Sequence, residues 1–218
     1  MKRASIALVL VLTVPASALA WGPNGHRVVG RIAANHLTDE AAVAVAALIG
    51  PEGLDQVATW ADEIRSDPAW QPPAKNPSPW HFISIDDQET LETTARDPKG
   101  DVLEAIERFS AVLRDPQAAR PAKQEALRFL VHFVGDVHQP LHVGRRADRG
   151  GNLVEVWWFG EKTNLHSVWD NGLIDSEKLS FSELAAFIDH PTFDELRAWQ
   201  SSIPADWVRE SKALRDRV

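Results

Sequence analysis

The sequence predicts a single, mainly α-helical domain with one small β-hairpin. Two observations carry this prediction. Apolar residues recur at helical spacing in most segments, most clearly at Ala126, Leu127, Leu130, Val131 and Val134. Only one run, 152–159, is rich in the β-branched and aromatic residues that strands favour. The 218 residues contain no repeat and no linker-like tract, and this length suits one domain with a substantial core.

Local signals place the first three helices. A turn rich in Gly and Pro precedes a helix that begins near His26. Thr38 is a typical N-cap for a second helix, which Gly50 and Pro51 terminate. A third helix is expected from about Leu54 to Ser66.

The loop from Pro68 to Pro79 holds five prolines and is expected to be extended and stiff. The segment from Trp80 to Ile85 reads as a short strand or extended piece. The remaining expected elements, in order, are helices 101–113 and 121–134, a strand 152–159 with a turn at 160–162, and helices 165–173, 180–188 (with a capping box of Ser180 and Glu183), 192–199 and 204–217.

Residues 1–20 have the pattern of a secretory signal. Lys2 and Arg3 precede an apolar run at 6–14, and Ala18 and Ala20 fit the small-residue cleavage site. The apolar run is too short for a mature transmembrane helix, and no later segment is long and apolar enough to span a bilayer. Cysteine and N-glycosylation sequons are both absent. We therefore expect a soluble, exported protein, secreted or periplasmic in a bacterium, with 21–218 as its single domain and neither a membrane nor an obligate protein partner.

The chain is acidic, with 31 Asp and Glu against 23 Lys and Arg and a formal charge of −8. This sign argues against nucleic-acid binding through a basic face. The objection weakens if several carboxylates bind divalent cations, because each ion adds two positive charges at the site itself.

The stretch from His132 to His142, with the sequence HFVGDVHQPLH, is the richest in candidate ligands. His132 and Asp136 are four residues apart and therefore project from one helix face, while Pro140 disturbs the helix before His142. Such a pair in an apolar setting suits a preorganised metal site. The alternative is a buried polar seam satisfied by hydrogen bonds.

Other candidate ligands lie beside tryptophans: His26 near Trp21, Asp62 after Trp60, and His81 after Trp80. His166 and Asp170 repeat the spacing of His132 and Asp136. Five histidines and three aspartates are too many for one tetrahedral zinc and about right for three. Structural roles are expected for the other histidines, which are His36, His138 and His190.

These motifs, read together, resemble the S1/P1-type nucleases, which are zinc enzymes that prefer single strands. The matching motifs occur in the family's order: WGxxGH, WAD, WHF, HFxGDxHQPLH, GGN and NLHxVWD. The resemblance covers nearly all of the chain after residue 20. It implies the helical fold shared with zinc-dependent phospholipase C, and hydrolysis of single-stranded DNA and RNA to 5′-phosphate products. A 3′-nucleotidase activity on nucleotides is also compatible with it.

The resemblance further implies three zinc ions, two of them close together and bridged by the catalytic carboxylate of Asp136. The implied ligands are, for the first ion, Asp62, His81, His132 and Asp136; for the second, the amino group and carbonyl of Trp21 with His26 and Asp136; and for the third, His142, His166 and Asp170.

Three further residues acquire substrate roles by this resemblance. Phe82 would stack on a base, with core packing as the alternative. Arg65 and Asn171 would contact phosphate or product, with ordinary surface positions as the alternative.

Two features depart from the family pattern. Ser84 stands where many fungal members have an aspartate that helps activate water, which affects the expected rate or substrate preference. The chain also ends at Val218, where family members usually continue into another helix. Two rival functions remain at this stage. One is a phospholipase C-like phosphodiesterase, although those enzymes typically carry Glu in place of Asp170. The other is a non-catalytic binding protein stabilised by metal.

Overall fold

The structure is a computed structural model that describes residues 21–70 and 76–218. The predicted signal at 1–20 and part of the proline-rich loop lie outside the described residues. The α-helices, in chain order, are α1 (Pro23–Asn35), α2 (Asp39–Ile49), α3 (Leu54–Val57), α4 (Trp60–Glu63), α5 (Val102–Arg114), α6 (Arg120–Val137), α7 (Leu165–Ser167), α8 (Leu173–Ser176), α9 (Phe181–Ile188), α10 (Phe193–Ser201) and α11 (Pro204–Arg215). The described residues contain a single two-stranded sheet, and the fold they form is mainly α-helical, as predicted.

Helix α6 is the centre of the core. Phe129 and Phe133 on this helix are fully buried and stacked, with ring centroids 5.3 Å apart. Phe109 of α5 stacks on Phe129 at 4.6 Å, and Trp60 and Trp80 pack edge-on against the same ring. Burial of aromatic side chains is a large source of stability, since each removes 150–250 Å² from water. The helix that carries the central ligand pair is therefore held rigidly.

The predicted third helix is broken in the structure. In place of one helix over Leu54–Ser66 there are α3, α4 and a 3₁₀ turn at Ile64–Ser66. The Asp62 amide donates to the Thr59 carbonyl at 3.1 Å, and not to Ala58, its acceptor in a continuous α-helix. The carbonyl of Ala58 is consequently free to bond to the side chain of His132.

The described ends of the proline-rich loop, 68–70 and 76–79, are more compact than predicted. Pro68–Trp70 and Ser78–His81 form 3₁₀ turns, the first capped by Asp67 Oδ1, which accepts from the Ala69 amide at 2.8 Å. The segment after His81 is extended, as expected. Its Ile83 and Ile85 amides donate to the carbonyls of His142 and Gly144 at 2.8 and 3.0 Å. These bonds dock the His81 segment beside the segment that carries His142.

The predicted hairpin is present but shorter. Strands β1 (Glu155–Trp158) and β2 (Glu161–Asn164) pair antiparallel, with Glu155 opposite Asn164. Phe159 and Gly160 both have positive φ, 48° and 88°, as the two central residues of a type I′ turn require. Residues 152–154 do not join the strand because their amides donate into the turn formed by 148–151.

The segment from Leu165 is helical, as predicted, but it contains a π-helical turn, Val168–Gly172, between α7 and α8. The capping box of Ser180 and Glu183 is confirmed at the start of α9. Within the described residues, no single helix could span a membrane by length and apolar content. One bent pair, Asp39–Ile49 with Leu54–Ser66, meets that test only when the two are taken together.

Candidate metal centre

His132 and Asp136 lie side by side on α6, as their spacing predicts. Both side chains are fully buried, and His132 Nε2 lies 3.2 Å from Asp136 Oδ2. His81, at the end of its 3₁₀ turn, brings its Nδ1 to 3.0 Å from the same carboxylate oxygen. Asp62 Oδ1 of α4 lies 3.9 Å from both His81 Nδ1 and His132 Nε2. The four residues expected to form the first metal site are therefore brought together.

His26 approaches the other side of the Asp136 carboxylate. Its ring stacks on that of His132 with centroids 3.7 Å apart, and its Nε2 lies 3.4 Å from Asp136 Oδ1. Gly135 leaves room for this approach, because a Cβ there would lie 3.0 Å from His26 Nδ1 and the ring would have to shift by a few tenths of an ångström. Two contacts hold the start of the described chain nearby: Trp21 Nε1 donates to the Gly135 carbonyl at 2.8 Å, and the Gly22 amide donates to the Asp170 carbonyl at 2.6 Å.

His142, His166 and Asp170 form a neighbouring group. His166 Nε2 lies 3.2 Å from Asp170 Oδ2, and His142 Nε2 lies 3.9 Å from Asp170 Oδ1. His166 lies on α7 and Asp170 lies in the π-helical turn that follows. The two side chains, four residues apart, still meet although the π-helical turn is wider than an α-helical one. This set is the one expected for the third ion.

Backbone carbonyls orient three of the histidines. The Nδ1 atoms of His132, His142 and His166 lie 2.7, 2.6 and 2.6 Å from the carbonyl oxygens of Ala58, His81 and Gly150. A carbonyl can only accept, so each Nδ1 carries a proton, and in the neutral form of each ring the lone pair is on Nε2. This is the arrangement in which histidines bind metal ions.

Gln139 supports the third group and was not predicted as a functional residue. It is fully buried, and its Nε2 donates to Asp170 Oδ1 at 2.5 Å while its Oε1 accepts from the Leu141 amide at 2.6 Å. Its position within the HQPLH motif was visible in the sequence. Nothing in the local pattern, however, indicated that its side chain would reach a residue 31 positions away.

The burial of unpartnered polar atoms indicates that these groups fit metal ions. Among the described residues, buried ring nitrogens of His26, His81 and His142, together with Asp136 Oδ1, have no hydrogen-bond partner. Such atoms are rare in folded proteins because losing water without a replacement partner is costly. Three clusters could each hold an ion, with candidate ligand atoms all within 4.8 Å of one another: His26, Asp62 and His132; His81, His132 and Asp136; and His142, His166 and Asp170.

Burial also adjusts the charges of the ligands. It lowers the pKa of His26, His81 and His142 well below 6.5, and nearby cationic groups lower it further, so these rings are neutral at neutral pH. Burial raises the pKa of Asp136 from its ordinary 3.8 to about 7, although His132 opposes the shift. Neutral imidazoles can bind a cation, and a bound cation would stabilise the ionised form of the buried Asp136 carboxylate. Both features suit a metal site.

A cleft of about 640 Å³ opens beside the two groups, with His81, His142 and His166 in its wall. Phe82 lines this cleft and is 44% exposed, which excludes a purely core role. Arg65 lines it as well and donates from Nη1 to Asp62 Oδ1 at 3.2 Å. Ser84 lies in the same wall.

Asn171 does not line this cleft with Arg65 and Phe82. It lines a second cavity of about 670 Å³, together with Trp158 of the hairpin and Lys178, which follows α8. Its predicted contact with phosphate or product stays a prediction. Two of the remaining histidines have structural partners: His36 Nε2 lies 2.6 Å from Asp189 Oδ1, and His138 Nδ1 lies 2.7 Å from the Val134 carbonyl oxygen.

Several known proteins are similar in sequence to this chain and identify its family. The family model described as S1/P1 Nuclease matches residues 21–218. Endonuclease 4 of Arabidopsis thaliana is 34% identical over 225 residues, which covers 95% of this chain and 72% of the relative. Endonuclease 2 of the same plant is 32% identical over 208 residues, covering 88% and 67%. Nuclease P1 of Penicillium citrinum is 35% identical over 158 residues, covering 69% of this chain and 57% of the relative. The chain belongs to the S1/P1 nuclease family, and it is therefore a nuclease, a hydrolase that acts on phosphodiester bonds.

Proposed function

We propose that this nuclease is an exported, zinc-dependent endonuclease that cleaves single-stranded DNA and RNA and leaves 5′-phosphate ends. The observation that carries the proposal is the convergence of buried His and Asp side chains, several with unpartnered nitrogen or oxygen atoms, beside one cleft whose wall includes His81, His142 and His166. Residues 1–20 have the composition of a secretory signal, which supports export to the periplasm or the medium of a bacterial cell.

Three zinc ions would be held by the ligands that the sequence predicts. These are Asp62, His81, His132 and Asp136 for one; the Trp21 backbone, His26 and Asp136 for a second; and His142, His166 and Asp170 for a third. Imidazole and carboxylate ligands suit zinc. When bound, zinc would supply positive charge close to the phosphate. It would also lower the pKa of a bound water molecule, so that hydroxide is available at neutral pH.

The chain's own residues provide position and selectivity. Arg65, held at 3.2 Å from Asp62, places a guanidinium at the cleft wall where a phosphate oxygen can accept from it. The half-exposed ring of Phe82 provides a surface on which any base can stack, provided that the base is unpaired. Stacking of this kind accounts for single-strand preference without a sequence code. Nucleoside 3′-monophosphates would fit the same positions, which extends the proposal to 3′-nucleotidase activity.

The test uses the secreted chain that begins at Trp21, purified with its metal. Single-stranded DNA, duplex DNA, RNA, a nucleoside 3′-monophosphate and phosphatidylcholine are assayed in parallel, and zinc is counted by elemental analysis. We expect three zinc ions per chain, rapid cleavage of both single strands and slow cleavage of duplex. Product ends that carry 3′-phosphate would contradict the proposal. Faster hydrolysis of phosphatidylcholine than of nucleic acid would replace it with the phospholipase alternative.

A further inference from the structure

The chain is acidic, so a nucleic-acid strand needs local positive charge in order to bind to it. The formal charge is −8, and a single strand carries one negative charge per linkage. Three arginines line the cleft: Arg65, Arg146 and Arg149. Whether each can contribute to binding depends on what already neutralises it.

Two of these arginines are engaged by carboxylates. Arg65 pairs with Asp62. Arg146 Nη1 lies 2.9 Å from Asp86 Oδ2 and 2.6 Å from Glu89 Oε2, and its Nη2 donates to Thr94 Oγ1 at 2.7 Å. Arg146 is thus tied into a structural network at the cleft edge.

Arg149 differs from both. Its side chain is exposed and, across 21–70 and 76–218, makes no hydrogen bond or ion pair. Its backbone is nevertheless firmly held, because its amide donates to the Arg146 carbonyl at 3.2 Å and its carbonyl accepts from Asn152 Nδ2 at 2.8 Å. A fixed backbone with an unengaged guanidinium at a cleft wall is suited to ligand binding.

The conformation of Arg149 adds a second observation. Its φ is 56°, a left-handed value that costs energy for a residue with a Cβ and that glycine adopts freely. The next two residues, which also have positive φ, are glycines. Strained non-glycine residues cluster at functional sites, where the side chain justifies the cost.

Arg149 lies next to a residue that contacts the third group of candidate ligands. The carbonyl of the adjacent Gly150 accepts from His166 Nδ1 at 2.6 Å, so Arg149 directly precedes the residue that orients a predicted zinc ligand. The guanidinium therefore projects from the same wall as the reaction centre without belonging to it. Arg149 and the candidate ligands His81, His142 and His166 line the same cleft.

We propose that Arg149 binds a phosphate of the strand next to the scissile linkage, as a subsite outside the reaction centre. The proposal rests on the proposed function for the nature of the substrate. It extends that function by predicting a preference for strands of several nucleotides over mononucleotides, since only the former carry a second phosphate to engage.

The experiment measures binding and cleavage separately. Binding of a single-stranded phosphorothioate oligonucleotide, which keeps one charge per linkage and resists hydrolysis, is followed by fluorescence anisotropy over a range of NaCl concentrations. Arg149→Gly removes the charge and relieves the backbone, so its melting temperature should equal or exceed that of the parent. Arg149→Lys keeps the charge but loses the bidentate donor. Arg197→Ala on α10, which removes an exposed arginine that does not line the cleft, is the matched control.

We expect Arg149→Gly to weaken binding about tenfold, as loss of a charge-assisted hydrogen bond does. The slope of log affinity against log salt is negative, and it should become less steep by about 0.7, the value for one phosphate contact on a single strand. Arg149→Lys should be intermediate and Arg197→Ala unchanged. Cleavage of a nucleoside 3′-monophosphate should be unaffected by Arg149→Gly. Unchanged affinity in Arg149→Gly, or a loss with an unchanged salt slope, would overturn the subsite. A parent protein that binds strands but does not cleave them would instead overturn the proposed function and leave the subsite standing.

Discussion

The Nδ1 atom of His132 lies 2.7 Å from the carbonyl oxygen of Ala58, although 74 residues separate the two in the chain. This contact exists because the helix predicted over 54–66 breaks after α3, which leaves the Ala58 carbonyl without an intrahelical donor. The break thus provides the acceptor that orients a buried candidate ligand. A deviation from regular helix at this point is part of how the candidate metal centre is built.

Removal of metal should destabilise the fold, because the ligands come from five separated segments that the ions would join. A site filled at a thousand times its dissociation constant contributes about 4 kcal/mol, and each kcal/mol shifts the melting temperature of a chain of this size by about 2–4 °C. We therefore expect chelation to lower the melting temperature by about 10 °C or more and to abolish activity. Readdition of zinc should restore both. A melt that does not change after verified zinc removal would show that metal has no part in stability.

Gln139 should control occupancy of the third site. Gln139→Leu removes the donor to Asp170 and the acceptor for the Leu141 amide, and loss of a residue that orients a metal ligand typically costs 10- to 100-fold in metal affinity. Zinc titration should therefore show one weakened site and two normal ones. Gln139→Glu keeps the acceptor for Leu141 but places a carboxyl beside Asp170, so it should weaken the same site. Three equally tight sites in both variants would contradict the assignment.

Phe82→Ala should weaken single-strand binding by about 1–3 kcal/mol, the value of one base–aromatic stack. Because the ring is 44% exposed, the melting temperature and the zinc content should change little. Phe82→Trp is the matched control, since it preserves a stacking surface and should retain binding. Loss of zinc or unfolding in Phe82→Ala would show instead that the ring supports the adjacent His81.

Local spacing in the sequence predicted the ligand pairs that lie within one helical turn. It did not predict the contacts between segments that are distant in the chain. The His132–Asp136 and His166–Asp170 pairs follow from i,i+4 spacing, which acts over a single turn. The meeting of His81 with Asp136 depends on how a 3₁₀ turn docks against α6, 55 residues along the chain. The break after α3, the reach of Gln139 and the separate cavity of Asn171 likewise depend on tertiary contacts, which local periodicity does not encode. Family resemblance supplied the ligand groups because it carries the tertiary arrangement with it.

The raised pKa of Asp136 predicts a pH dependence that a single variant can isolate. A carboxyl whose folded pKa is raised from 3.8 to about 7 contributes stability that is fully present below about pH 3.8 and is lost as the pH rises through 7. The buried histidines His26, His81 and His142 act in the opposite sense, because their folded pKa values are lowered. Comparison with Asp136→Asn, in chelator, cancels the effects of these three histidines, because Asp136 does not cause their shifts. Against the opposing effect of burial, the carboxylate of Asp136 does raise the pKa of His132, and loss of that stabilisation as the pH rises adds to the same trend. The stability advantage of Asp136→Asn should therefore grow from about pH 4 to pH 7 and then level off.

Denaturant unfolding of both metal-free proteins at several pH values provides the measurement. Asp136→Asn should also lose zinc, so that one substitution stabilises the metal-free fold and removes the metal. A difference in unfolding free energy that is independent of pH would contradict the burial argument.

The start of the mature chain should decide whether the second metal site can form. Trp21 is held by its indole to the Gly135 carbonyl, and Gly22 is held to Asp170, so the backbone of Trp21 is anchored between two groups of predicted ligands. Cleavage after Ala20 would free an α-amino group there, with an ordinary pKa near ~8, from which a metal ion can displace the proton near neutral pH. In the precursor the same nitrogen is an amide, which is a poor ligand. We therefore expect a form extended by one residue ahead of Trp21 to bind fewer zinc ions and to hydrolyse single strands far more slowly than the form that begins at Trp21. If Trp21 only starts the fold, the extension should be tolerated. The two forms, purified side by side, should be compared by elemental analysis and turnover, and equal zinc content with equal rate would rule out this role for the amino group.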